Sequence, residues 1–129
     1  MENWKQAAIK FFPDIEADLL AVESPSELWI EIEFWFFKAV ERGDSEFQQR
    51  VIGFLNYCTS GVLGDKSSQI QQAVYCGILE NIGRNKRCWP YLGEWFDRAS
   101  FDQYRGSLIY SLTDWQAQEL TDAYESGRT

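Results

Sequence analysis

Helix start and stop signals recur at short intervals along this chain, and they limit what it can fold into. Ser24-Pro25-Ser26-Glu27 combines an N-cap serine, a proline in the first turn and a glutamate that completes a capping box. Gly43 follows as a left-handed stop, so a helix is predicted to run to about Arg42. This punctuation favours an all-α fold, an irregular antiparallel helical bundle of about six to eight short helices.

The same signals place the other helices. The predicted boundaries are an Asn3 cap with a break at Pro13, a short helix from Asp14 to Val22, an Asp44 cap before a helix from Ser45 to about Thr59, a start at Ser67 or Ser68 with a stop at Gly83, a short helix from Trp89-Pro90 to Phe96, and capping boxes at Ser100–Gln103 and Thr113–Gln116.

One segment is ambiguous between helix and strand. The residues of Trp29–Phe37 are strand-like and alternate in part with period two. The capping box before the segment and the Gly43 stop after it favour a helix.

The length of 129 residues suits one domain with one hydrophobic core, predicted to span residues 1–129. Three cysteines without a CxxC motif suit reduced thiols in a cytoplasmic protein. Cys58 and Cys76 are expected in the core, and Cys88 in an exposed loop. No signal peptide is apparent, and no apolar stretch approaches membrane-spanning length.

The sequence contains no histidine, which removes the commonest general base and the commonest metal ligand. No glycine-rich phosphate loop is present. Carboxylate pairs such as Glu27 with Glu31 are the remaining enzymatic option, but a di-metal site on paired helices normally adds histidines. We therefore predict no enzymatic activity, no cofactor and no metal.

Charge is the sharper functional signal. The net charge of −8 opposes binding to nucleic acids and to anionic membranes, and it favours either a basic protein partner or solubility alone. Acids recur four residues apart without a base at Asp14/Asp18 and Glu27/Glu31. Elsewhere the chain supplies complementary pairs, Glu46 with Arg50 and Glu94 with Arg98.

The unpaired acids have two interpretations, a solvated helix face or a surface kept negative for a basic partner. The second predicts a set of partner-binding residues made of carboxylates and two aromatic anchors. They are Trp4, Asp14, Glu16, Asp18, Glu23, Glu27, Trp29 and Glu31.

Four stretches in the middle of the chain resemble a bacterial all-helical domain-of-unknown-function family. They are Phe36-Phe37-Lys38-Ala39-Val40-Glu41-Arg42-Gly43-Asp44, Val51-Ile52-Gly53-Phe54-Leu55, Gln72-Ala73-Val74-Tyr75-Cys76-Gly77-Ile78-Leu79-Glu80, and Tyr91-Leu92-Gly93 before Trp95. The chain departs from the pattern at Asn56, where an acid is common.

Small acidic proteins of this type look like the immunity proteins of polymorphic toxin systems, including those of contact-dependent and type VI secretion. The resemblance implies a cytoplasmic antitoxin that neutralises a cognate toxin protein by protein–protein contact. The alternative is a non-catalytic helical adaptor or homo-oligomeric module. In isolation we expect a monomer or a weak dimer.

Overall fold

A computed structural model describes residues 3–63 and 67–128, and these residues form helices and no strand. The expected all-helical fold of short helices is confirmed. The α-helices are α1 (Trp4–Phe11), α2 (Glu16–Leu20), α3 (Pro25–Arg42), α4 (Ser45–Thr59), α5 (Ser67–Ala73), α6 (Leu79–Arg84), α7 (Leu92–Trp95), α8 (Arg98–Leu108) and α9 (Asp114–Gly127). The described residues also include the 3₁₀ segments Pro13–Ile15 and Lys86–Tyr91 and the π-helical segment Val74–Ile78.

The chain divides into two compact units. Unit 1 is Met1–Gly77 and unit 2 is Ile78–Thr129. The expectation of a single domain over residues 1–129 stays a prediction, and each unit is described by itself below. None of the helices among the described residues is both long enough and apolar enough to cross a lipid bilayer.

Most of the predicted caps are present. The Ser24 hydroxyl accepts a hydrogen bond from the Glu27 backbone N–H at 3.1 Å, and α3 then runs through the ambiguous Trp29–Phe37 segment as helix. Gly43 ends α3 with φ 71°, a left-handed conformation that glycine adopts without steric cost. Asn3 and Thr113 both form complete capping boxes.

Three local predictions were wrong. Gly83 does not stop a helix but lies inside α6, and α8 is capped by Asp97 rather than by Ser100. The segment predicted as one helix from Trp89 to Phe96 is a 3₁₀ turn followed by α7. Part of the loop predicted before α5 lies outside the described residues.

Aromatic rings from α1, α3 and α4 fill the core of unit 1. Phe54 is fully buried; its ring centre lies 5.6 Å from that of Phe12 and 5.3 Å from that of Trp29. Phe11 approaches the same ring at 5.0 Å. Such ring pairs stabilise beyond the area they bury, so this cluster fixes α1 and α3 against α4.

Close backbone approach organises unit 2. A Cβ added at Gly83 would overlap the Leu108 carbonyl oxygen, and one at Gly93 would lie 2.5 Å from the Gly127 carbonyl carbon. Glycine at these two positions therefore allows α6 to pack on α8 and α7 on α9. The Trp89 indole N–H donates to the Gly83 carbonyl at 2.9 Å. This hydrogen bond satisfies a buried acceptor where α6 packs on α8.

The cysteines are placed differently from the prediction. Cys58 is buried as expected, but Cys76 is exposed and Cys88 is fully buried. Cys76 belongs to the π-helical segment, while the 3₁₀ turn that replaces the predicted polar loop carries Cys88 inward.

Candidate protein-binding surface

Asp14 does not belong to an unpaired acidic surface. Its carboxylate accepts two hydrogen bonds from the Arg50 guanidinium, at 2.9 and 3.1 Å. Arg50 also donates to the Phe11 carbonyl at 3.1 Å and pairs with Glu46 at 2.8 Å. These hydrogen bonds hold the pKa of Asp14 below its usual value and raise that of Arg50. The expected Glu46–Arg50 pair is thus confirmed, but the same arginine neutralises Asp14.

Trp29 is excluded as a surface anchor. Its side chain is 2% exposed and stacks on Phe54 in the core of unit 1. Burial raises the pKa of the neighbouring Cys58 thiol to about 12, and the Trp29 side chain partly opposes that shift. The expectation was wrong because Trp29 lies on the inner face of α3.

Trp4 is partly buried at the start of α1 and has a cation beside it. The Lys5 ammonium lies 5.9 Å from the centre of the Trp4 ring. The same ammonium donates to the Leu20 carbonyl at 3.2 Å, where a cation suits the negative end of α2. The cation beside Trp4 therefore already stabilises the C-terminal end of α2.

Glu27 takes part in a local hydrogen bond at the start of α3. Its carboxylate accepts a hydrogen bond from the Glu23 backbone N–H at 2.8 Å, just before α3 begins. The bond falls one residue before the N-cap, so the predicted capping box is displaced rather than complete. Glu27 is exposed, but part of its acceptor capacity serves the start of α3.

Four predicted carboxylates remain accessible. Glu16, Asp18 and Glu23 are exposed and Glu31 is partly exposed. Within residues 3–63 and 67–128, no ion pair reaches any of these four side chains. We call Glu16, Asp18, Glu23 and Glu31 the acidic set. It is supplied by α2, by the turn that follows and by the first half of α3.

The structure also exposes apolar side chains that the sequence reasoning did not assign to a surface. In unit 1 they include Leu20, Ile30 and Phe34, with exposed fractions of 56%, 64% and 52%. In unit 2 Tyr110 and Trp115 are both 78% exposed. The sequence does contain a signal for the exposed residues of α3. Ile30 and Phe34 form a second apolar stripe, because they cannot share a helix face with Leu28 and Ile32.

Unit 2 contains several internal ion pairs. Lys86 pairs with Glu119 at 3.1 Å and Arg84 with Glu80 at 3.6 Å. Arg98 pairs with Glu125 at 2.6 Å instead of the predicted Glu94. Arg84 and Lys86 thus pair with acids of their own unit. The exposed acids Glu94, Asp114 and Asp122 of unit 2 receive no ion pair from the described residues either, but they are far apart in sequence, whereas the acidic set lies within residues 16–31.

Within residues 3–63 and 67–128, no group of three or more potential metal-ligating side chains comes together. The two buried thiols, Cys58 and Cys88, have their pKa raised to about 12 by burial, which keeps them protonated and unreactive at neutral pH. What the surface offers is accessible carboxylate charge beside exposed apolar side chains.

No family model, no curated protein and no solved structure matches this chain.

Proposed function

We propose that this protein is an immunity protein that binds and neutralises a basic toxin domain through the acidic set of unit 1. The observation that carries the proposal is that Glu16, Asp18, Glu23 and Glu31 are accessible and receive no ion pair from the described residues. A carboxylate without an internal counterion is available to a partner's lysine or arginine.

Leu20 supplies an apolar contact next to this charge. It lies four residues after Glu16 on α2 and is 56% exposed. Desolvated apolar contacts dominate interface energy, whereas rim charges mainly speed encounter and exclude wrong partners. The arrangement supports rapid capture of a basic surface, with steering worth roughly 10–1000-fold in association rate at low salt.

The test uses the protein encoded by the gene adjacent to this one. Glu16, Asp18 and Glu23 are changed together to lysine, and association is followed at low and at physiological salt. The control is the triple change of Glu94, Asp114 and Asp122 to lysine. All three are exposed acids of unit 2, and the change in net charge is the same. We expect the first variant to associate at least about tenfold more slowly and to lose most of the salt dependence.

Protection of cells from the neighbouring gene product provides a second test of the same proposal. Co-expression should rescue growth from the neighbouring gene product with the wild-type protein and the control, and less well with the acidic-set variant. Equal binding by all three proteins, or no binding of the neighbouring product to any of them, would overturn the proposal.

A further inference from the structure

Helix α3 has two apolar faces, and only one of them is covered within unit 1. The covered face carries Leu28, Ile32 and Phe36, all fully buried. The opposite face carries Ile30 and Phe34, which are more than half exposed, and Phe37, which is partly exposed. Because this 18-residue helix is apolar on both sides, its second face can pack against another helix.

The exposed residues follow a regular spacing. Glu27, Ile30, Phe34, Phe37 and Glu41 are separated by alternating steps of three and four residues. We call these five residues the α3 seam. Alternating steps of three and four keep side chains on one line along a helix, and such a line packs into the facing helix of a coiled coil. The seam is apolar in its centre and acidic at both ends.

Charges along one flank of the seam alternate in sign. Glu31 follows Ile30 by one residue and Lys38 follows Phe37 by one residue, so both lie on the same flank. The Lys38 ammonium lies 4.9 Å from the centre of the Phe34 ring, which places this cation directly beside the seam. No ion pair reaches Glu31 or Lys38 within the described residues.

We propose that the α3 seam is the contact between two copies of this chain, with their α3 helices packed antiparallel. In an antiparallel pair the same flank of each helix faces the other. Glu31 of each copy then lies opposite Lys38 of its partner, twice in a two-fold symmetric interface. Phe34 of one copy packs against Phe37 of the other in the same arrangement.

The charge pattern selects this occupant over two others. A uniformly basic helix would match Glu31 but would meet Lys38 with like charge. In parallel packing of two copies, opposite flanks of the two helices face each other, so Glu31 of one copy would not lie opposite Lys38 of the other. Only the antiparallel second copy matches both Glu31 and Lys38. This contact does not rest on the proposed antitoxin role. It uses Glu31 of the acidic set, so in a dimer a basic partner would bind through Glu16, Asp18 and Glu23.

Sedimentation equilibrium over a range from micromolar to submillimolar protein tests the proposal. The average mass should rise from 15.1 kDa toward twice that value as concentration increases. Phe34→Ser should hold the protein at the mass of one chain. The matched control is Trp115→Ser, which removes a more exposed aromatic side chain that is not part of the seam and should leave association unchanged.

Charge reversal gives the sharper result. Glu31→Lys and Lys38→Glu should each weaken self-association about tenfold, because each turns two attractions into two repulsions. An equimolar mixture of the two single variants should associate as wild type does, because both cross-pairs are then attractive. The double variant should also recover. A single chain mass at every wild-type concentration would overturn the proposal, as would failure of the mixture to recover.

Discussion

Replacement of Gly83 by alanine should destabilise the protein because a backbone atom occupies the space that the new methyl group needs. The added Cβ would overlap the Leu108 carbonyl oxygen and would lie 2.5 Å from the Leu108 carbonyl carbon. Neither atom can move away as a side chain does. Relief therefore requires that α6 and α8 separate, and both helices carry fully buried residues such as Ile82 and Leu108.

The magnitude follows from two opposing effects. Overpacking of a close contact costs about 1–3 kcal/mol, and a backbone obstacle puts this site at the upper end. Alanine recovers about 1 kcal/mol relative to glycine in a helix interior. We therefore expect Gly83→Ala to lower the free energy of unfolding by about 2 kcal/mol.

Gly106 provides the matched control. It also lies within a helix of unit 2, in α8, and a Cβ added there meets no atom within 4 Å. Gly106→Ala should raise the free energy of unfolding by about 0.5–1 kcal/mol. Urea denaturation, followed by tryptophan fluorescence and circular dichroism, measures both variants against wild type. If Gly83→Ala proved as stable as Gly106→Ala, the close approach of α6 and α8 would be refuted.

Three further outcomes follow from individual contacts. The pKa of Asp14 is lowered by Arg50, so the stability from this pair is present above the ordinary aspartate pKa of about 3.9 and is lost as pH falls through the lower folded value. Because the Asp14 side chain is 53% exposed, Asp14→Asn should cost at most about 1 kcal/mol at pH 7. The urea midpoints of wild type and variant should converge as the pH falls below the ordinary aspartate pKa and through the lower folded value. In the same assay Arg50→Met should cost more than Asp14→Asn, about 1–2 kcal/mol, because it also removes the donor to the Phe11 carbonyl at the end of α1. A cost equal to or smaller than that of Asp14→Asn would contradict this role of Arg50. With a thiol reagent at neutral pH, Cys76 alone should react quickly in the native protein, Cys58 and Cys88 should react only on unfolding, and Cys76→Ser should remove the fast phase.

The sequence alone determined the features that depend on neighbours within one turn of the chain. The cap at Ser24, the left-handed stop at Gly43 and the complete box at Thr113 each involve groups no more than four residues apart. Their hydrogen bonds can be read from spacing alone, because the partner is supplied by the next turn. The Ser100 box, which has the same spacing, shows the limit of this rule, since α8 begins earlier and is capped by Asp97. The local signals at Ser24 and Gly43 also decided between helix and strand for Trp29–Phe37. The acidic net charge follows from counting residues.

Pairings between distant segments were decided only by the tertiary structure. Asp14 and Arg50 lie 36 residues apart in sequence, so no spacing rule links them, and their contact removed one acid from the candidate surface. Arg98 likewise pairs with Glu125, 27 residues away, rather than with the acid one turn before it. An arginine reaches the acid that packing brings nearest.

Packing also decided which of two apolar faces became the core. Residues of both α3 stripes have similar hydrophobicity, yet Trp29 is 2% exposed and Phe34 is 52% exposed. The cysteines show the same limit, since Cys76 and Cys88 exchanged their expected environments. Sequence periodicity tells how many apolar faces a helix has. Which face is buried depends on where the neighbouring helices lie, and that is set by contacts far along the chain.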